Sequence, residues 1–132
     1  GDWTSAGYDD SKWKSDRGAF GTKENEPTAK TQWGTRNIWV RRMVNIDRDL
    51  TGIPVYLEFS NDDDAVFYIN GVKIHGTGTT CNKNKVVKLP DETSACRFRN
   101  IWKLCLAIQP CRPLPTCSPC RHTTLLPVVV ST

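Results

Sequence analysis

Asn61-Asp62-Asp63-Asp64-Ala65-Val66-Phe67-Tyr68-Ile69-Asn70-Gly71-Val72-Lys73-Ile74 decides the fold class. A polar, acidic corner runs into a β-type segment at 65–69. Asn70-Gly71 follows, and then a second short apolar run at 72–74. Asn-Gly between two such runs predicts a two-residue hairpin, because a type I′ turn needs positive φ at both central residues.

The neighbouring sequence extends the same pattern. In residues 35–46, Ile38, Val40, Val44 and Ile46 share one face at period two, while Trp39, Arg41, Met43 and Asn45 share the other. This predicts a long strand. Arg42 falls on its apolar face, so it must reach an edge or pair with an acid. Val55, Leu57 and Phe59 alternate with Tyr56, Glu58 and Ser60, the mark of a half-buried strand. Residues 86–89 predict another strand, stopped at Pro90. Residues 1–30 read as loops and short strands around Trp3, Tyr8, Trp13 and Phe20, with Asp9-Asp10-Ser11 suited to a tight turn or cap. Short strands with turn signals every 8–12 residues predict an all-β sandwich or jelly roll.

Composition divides the 132 residues unevenly. Residues 1–92 hold all 14 acids and 13 of the 18 Lys/Arg, a net charge of −1; residues 93–132 hold five basic residues and no acid. Five of the six cysteines lie in that tail, and all nine glycines lie at or before Gly78. The expected organisation is a module over 1–92 and an atypical Cys/Pro-rich basic tail over 93–132. The tail reads as a shifted reading frame, with an authentic unusual tail as the alternative. Five dispersed charges make no stripe for nucleic acid, and no apolar run approaches the ~20 residues of a membrane helix. A start at Gly1 without an export signal is what a fragment or mature segment would show.

Three segments carry a resemblance. The first is Tyr8-Asp9-Asp10-Ser11-Lys12-Trp13 with Gly18-Ala19-Phe20-Gly21. The second is Thr31-Gln32-Trp33-Gly34-Thr35 leading to Asn37-Ile38-Trp39-Val40-Arg41-Arg42. The third is the opening stretch. In order and spacing they resemble a galactose-binding-like jelly-roll module of large bacterial hydrolases, over about residues 3–90. The likeness is nearest to the β-sandwich portion of bacterial glutaminase-family proteins, and similar modules accompany glycoside hydrolases. It implies a non-catalytic accessory module of a larger periplasmic or secreted bacterial enzyme, either contacting carbohydrate or acting only as a structural spacer. Its expected partners are the parent's catalytic domain and carbohydrate. The likeness ends near residue 92, so the jelly roll is expected to be incomplete at its C-terminus. Either 101–108 or 125–130 is then expected to pair as a strand or pack on the sheet.

The candidate ligand contacts are Trp33, Arg41, Asp63 and Tyr68, since aromatic faces pack on apolar sugar faces and polar tips fix orientation. Trp13 and Trp39, inside strand-like patterns, are expected to pack in the core. The resemblance implies a structural Ca²⁺, for which Asp62 and Asp64 are the candidate ligands; no other cofactor is expected. The competing reading of 62–64 is a solvated turn pairing with Arg41 or Arg42, and alternation places Asp63 on the opposite face from Asp62 and Asp64. Cys117-Ser118-Pro119-Cys120 has a CxxC spacing but lacks the second pair that zinc wants. Neither His75 nor His122 has a plausible nucleophile partner, and no catalytic residue is assigned.

Overall fold

The computed structural model describes residues 1–21, 23, 29–32, 34–35, 37–46, 48–61, 64–94, 101–109, 124–125 and 129–130, with residue 94 and the segments beyond it described by backbone alone. Ten strands lie among them: β1 (Phe20–Gly21), β2 (Thr31–Gln32), β3 (Ile38–Asn45), β4 (Val55–Asn61), β5 (Asp64–Ile69), β6 (Val72–Gly76), β7 (Asn82–Lys88), β8 (Ile101–Gln109), β9 (Thr124–Leu125) and β10 (Val129–Val130). A single helical turn, Asp91–Ser94, follows β7. The chain is an all-β sandwich. One sheet runs β3-β8-β5-β6; in the other, β4 lies between β7 and the short strands β9 and β10.

The hairpin forms as the Asn-Gly pair dictates. Asn70 and Gly71 have φ of 50° and 88°, and Ile69 pairs with Val72 across the turn. Beyond it β6 bulges between the pairs Phe67↔His75 and Tyr68↔Lys73, which leaves Ile74 as the extra residue.

Alternation builds the core. Val55, Leu57 and Phe59 of β4 face Ala65, Phe67 and Ile69 of β5, all buried. The Phe59 and Phe67 rings meet with centroids 4.8 Å apart and planes tilted by 46°. Ile46, Leu50 and Leu89 close the ends of this cluster, and Ile38, Val40 and Val44 of β3 pack against it. Arg42, on the same face of β3, is exposed because β3 is an edge strand. Exposure at the edge keeps the Arg42 charge in solvent.

β7 is longer than the 86–89 run suggests. It begins at Asn82, and Leu89 lies just past its end, held by a 2.8 Å hydrogen bond from its N–H to the Val55 carbonyl. Both apolar runs of the tail join sheets. β8 pairs antiparallel with β3 from Ile38↔Ile108 to Asn45↔Ile101, and with β5 from Asp64↔Gln109 to Ile69↔Leu104. β9 and β10 pair with β4.

Asn61 is fully buried where β4 ends. Its amide donates to Thr77 Oγ1 (3.2 Å) and the Thr80 carbonyl (3.1 Å), and its Oδ1 accepts from Asn82 Nδ2 (3.0 Å). This one side chain ties the β6–β7 connection to the sandwich. Asn61→Ala removes three hydrogen bonds at a buried position, each worth roughly 0.5–1.5 kcal/mol. The expected loss of unfolding free energy is about 2–3 kcal/mol, read by urea denaturation.

Candidate functional site

The outer face of the β3-β8-β5-β6 sheet brings two of the predicted ligand residues into one row. Arg41 of β3 and Tyr68 of β5 stand opposite Cys105 of β8 from either side, and Lys73 of β6 stands opposite Tyr68. Alternation aims Arg41 away from the core, yet its side chain is only 3% exposed. The first 13 residues account for this, because they lie across that face.

Arg41 holds this N-terminal segment at several points. Its Nη1 donates to the Tyr8 carbonyl at 3.0 Å and lies 2.8 Å from Asp10 Oδ2, and its Nη2 donates to the Ser5 carbonyl at 2.8 Å. The guanidinium also lies 5.1 Å from the Tyr8 ring centroid, within cation–π range. Arg41 Nε is buried and finds no acceptor among the described residues. A planar fork with several donors suits this work, since it binds diverging backbone carbonyls that a lysine would meet one at a time.

Aromatic contacts seal the segment to the sheet. Trp3 meets Tyr68 edge-on at 5.8 Å and stacks on Trp13 at 6.5 Å, and Tyr8 meets Trp13 edge-on at 5.9 Å. Trp13 therefore packs in this outer aromatic cluster, in a turn, and not in the core. The segment is also ordered from within. Thr4 donates to Asp2 Oδ1 from its N–H (3.0 Å) and its hydroxyl (2.7 Å), which holds the Asp2 carboxyl below the usual carboxylate range. The Ser11 N–H donates to Asp9 Oδ1 at 3.0 Å, and the Trp13 N–H to the Asp10 carbonyl at 2.9 Å, the tight turn expected of Asp9-Asp10-Ser11. Gly71 abuts the segment too, and a Cβ there would lie 3.7 Å from Ser5 Cα.

Several expectations change. Among the described residues Arg41 pairs with Asp10 in the N-terminal segment, which covers the face that Arg41 occupies. Arg41 and Tyr68 lie against one another's cover, committed to chain contacts. Trp39 is 52% exposed and Met43 is 64% exposed, flanking Arg41 on the outer face of the edge strand. The core position expected for Trp39 is thus wrong: alternation sends it outward, and edge position leaves it uncovered. Asp64 opens β5, partly exposed. Trp33, Asp62 and Asp63 lie outside the described residues, as does the CxxC at 117–120. Among the described residues no three His, Cys, Asp or Glu side chains are grouped as a metal site would need. No helix among them is long and apolar enough to cross a membrane.

A second cluster, unremarked in the sequence, lies where β6 and β7 form the open edge of the sandwich. His75 pairs with inward-facing Phe67, and Lys85 pairs with inward-facing Phe59, so both sit at inward positions of edge strands. The His75 ring lies 5.5 Å from Phe59 and 6.3 Å from Phe67. Burial, then the charges of Lys85 and Lys73, push the imidazole below its ordinary pKa of 6.5.

No protein-family model and no curated protein matches the sequence. In structure, the chain is similar to part of a calcium-binding mutant of Bacteroides uniformis beta-glucuronidase 2, at 16% identity and TM-score 0.62, over 97% of this chain and 15% of that chain. It is similar to part of Bacteroides uniformis beta-glucuronidase at 15% identity and TM-score 0.64, over 95% of this chain and 15% of that one. The same enzyme 2 covalently bound to cyclophellitol-6-carboxylate aziridine gives 15% identity and TM-score 0.63, with the same two coverages. The likeness shows the fold, and the chain spans about 15% of the length of the solved structures it matches. None of the three supports a link to glutaminases.

The His75 environment sets a pH dependence. The folded imidazole is harder to protonate than the unfolded one, so the unfolded chain takes up more protons just below pH 6.5. Stability therefore falls as pH is lowered through about 6.5, and the loss is complete below the folded pKa. Asp2 acts in a separate window, losing its contribution only as pH falls below 3.8. Thermal unfolding at pH 7.5 and pH 5 is expected to show a lower midpoint at pH 5, with the difference reduced in His75→Gln.

Proposed function

We propose that this chain is a non-catalytic accessory β-sandwich module of a larger, exported bacterial glycoside hydrolase, and that its work is structural packing beside the parent's catalytic domain. The observation that carries this reading is the match itself: 95–97% of the chain aligns with only 15% of the beta-glucuronidase chains. The step from shared fold to shared setting is an analogy at the level of the fold.

A packing role is favoured over sugar capture by what the outer face already does. A sugar site needs aromatic faces and polar tips left open to the ligand. Here Arg41 Nη1 and Nη2 are spent on Ser5, Tyr8 and Asp10, and Tyr68 lies edge-on to Trp3. Trp39 and Met43, exposed beside Arg41, offer apolar contact to a neighbouring domain instead. Exposed large side chains on an edge strand are a liability in an isolated sandwich and an asset at an interdomain surface.

Sequencing the genomic locus tests the setting. The expected result is an in-frame glycoside hydrolase catalytic domain beside this module; a free-standing frame with no hydrolase joined to it would refute the proposal. Calorimetric titration with galactose, glucose and mannose separates the two roles. No saturable heat is expected, and a saturable signal with any of these neutral sugars would restore carbohydrate capture.

A further inference from the structure

We propose that the outer edge of β3 takes an extended, acid-bearing strand from a neighbouring domain of the parent enzyme, which joins the β3-β8-β5-β6 sheet antiparallel to β3. This deepens the packing role above and rests on it. The other edges of the sandwich are guarded against strand addition. β6 is five residues long and bulged. β7 has a register shift and carries Lys83, Lys85 and Lys88, and β9 and β10 span two residues each. Bulges, lysines and short strands are the usual means of blunting an edge. β3 has none of the three. Its eight residues pair with β8 without a break, and they include no Pro, Gly or Lys. Among the described residues β3 makes no backbone hydrogen bond on its other side. Alternate N–H and C=O groups along the strand therefore face outward, a template for one more strand.

The side chains along this edge specify the occupant. Trp39 and Met43 lie four residues apart on the outer face, on either side of Arg41, and both are exposed. Arg42 lies between them on the opposite face, exposed, and makes no ion pair among the described residues. A second copy of this chain fits poorly. The antiparallel register that sets Trp39 of each copy opposite Met43 of the other also makes the two Arg42 side chains diagonal neighbours on one face, where like charges repel. A strand with an acid opposite Arg42 has no such cost and gains a cross-strand ion pair. Counting along an antiparallel partner sets an apolar residue opposite Met43, an acid opposite Arg42 and any residue opposite Arg41. Apolar residues then follow opposite Val40 and Trp39. The pattern recognised is thus apolar–acid–any–apolar–apolar in an extended chain, with main-chain hydrogen bonds giving affinity and alternate side chains giving specificity.

The probe is an acetylated and amidated peptide, Thr-Leu-Glu-Thr-Val-Tyr-Thr, titrated into the intact chain while backbone amide resonances are followed. The expected result is a saturable set of shifts centred on β3, with slower hydrogen exchange along that strand. Replacing the peptide's Glu by Lys is expected to weaken binding about fivefold, the worth of one cross-strand charge pair. Arg42→Glu in the chain is expected to reverse that preference. Trp39→Thr and Met43→Thr are each expected to weaken both peptides. All three side chains are exposed, so the variants are expected to keep the parent's amide spectrum outside β3. No saturable shift in β3 at about 1 mM peptide, or binding indifferent to the charge swap, overturns the proposal. A concentration-dependent dimer of the chain alone that protects β3 also overturns it, and assigns the edge to a second copy. The packing role fails separately. A hydrolase domain at the locus with no peptide response removes this edge site and leaves that role standing; a peptide response with no hydrolase at the locus does the reverse.

Discussion

The structure turns on a guanidinium buried on the wrong side of a sheet. Arg41 points away from the core by alternation, and a solvated arginine would be unremarkable there. Its burial is imposed by the first 13 residues, which lie across the face and bring Asp10 and two backbone carbonyls to it. Removing an arginine from water costs several kcal/mol, offset only if its donors are met. Carbonyls at positions 5 and 8 supply what a lone carboxylate would not. The segment is not a strand, and Arg41 and the Trp3–Tyr68 contact help to hold it on the sheet.

This arrangement decides what the outer face offers. A half-exposed sheet with Arg41 and Tyr68 in one row resembles an open polar and aromatic platform when only β3 and β5 are considered. Once residues 1–13 are in place, the row is interior to a small aromatic layer. What stays open is the edge: Trp39 and Met43 at β3, and the cationic rim of β6 and β7.

Local chemistry made most of the fold legible. The Asn70-Gly71 hairpin, the alternation of 55–59 and the long strand near 38–45 all formed as their side chains require. The apolar runs at 101–108 and 125–130 were also recognisable as strand material, although nothing in their composition says that β8 lies between β3 and β5. Pairing partners far apart in sequence are set by the whole sheet, not by the segment. The site was less legible for a similar reason. Alternation places Arg41 and Trp39 on the same outward face and cannot say that a distant segment covers one and leaves the other bare. Asn61 was read as part of an acidic corner, because its burial depends on Thr77, Thr80 and Asn82 returning to it. The His75–Lys85 cluster depends on two edge strands meeting, and its one sequence signal is the acid-free run from 65 to 90.

The account places the integrity of the outer face on Arg41, and Arg41→Ala tests this directly when stability and amide hydrogen exchange are read together. If the guanidinium holds the N-terminal segment down, the variant loses about 2–4 kcal/mol of unfolding free energy. Amides of residues 4–13 then exchange at the rate of an unstructured chain, while β4 and β5 stay protected. Unchanged stability, with residues 4–13 as protected as in the parent, would contradict it.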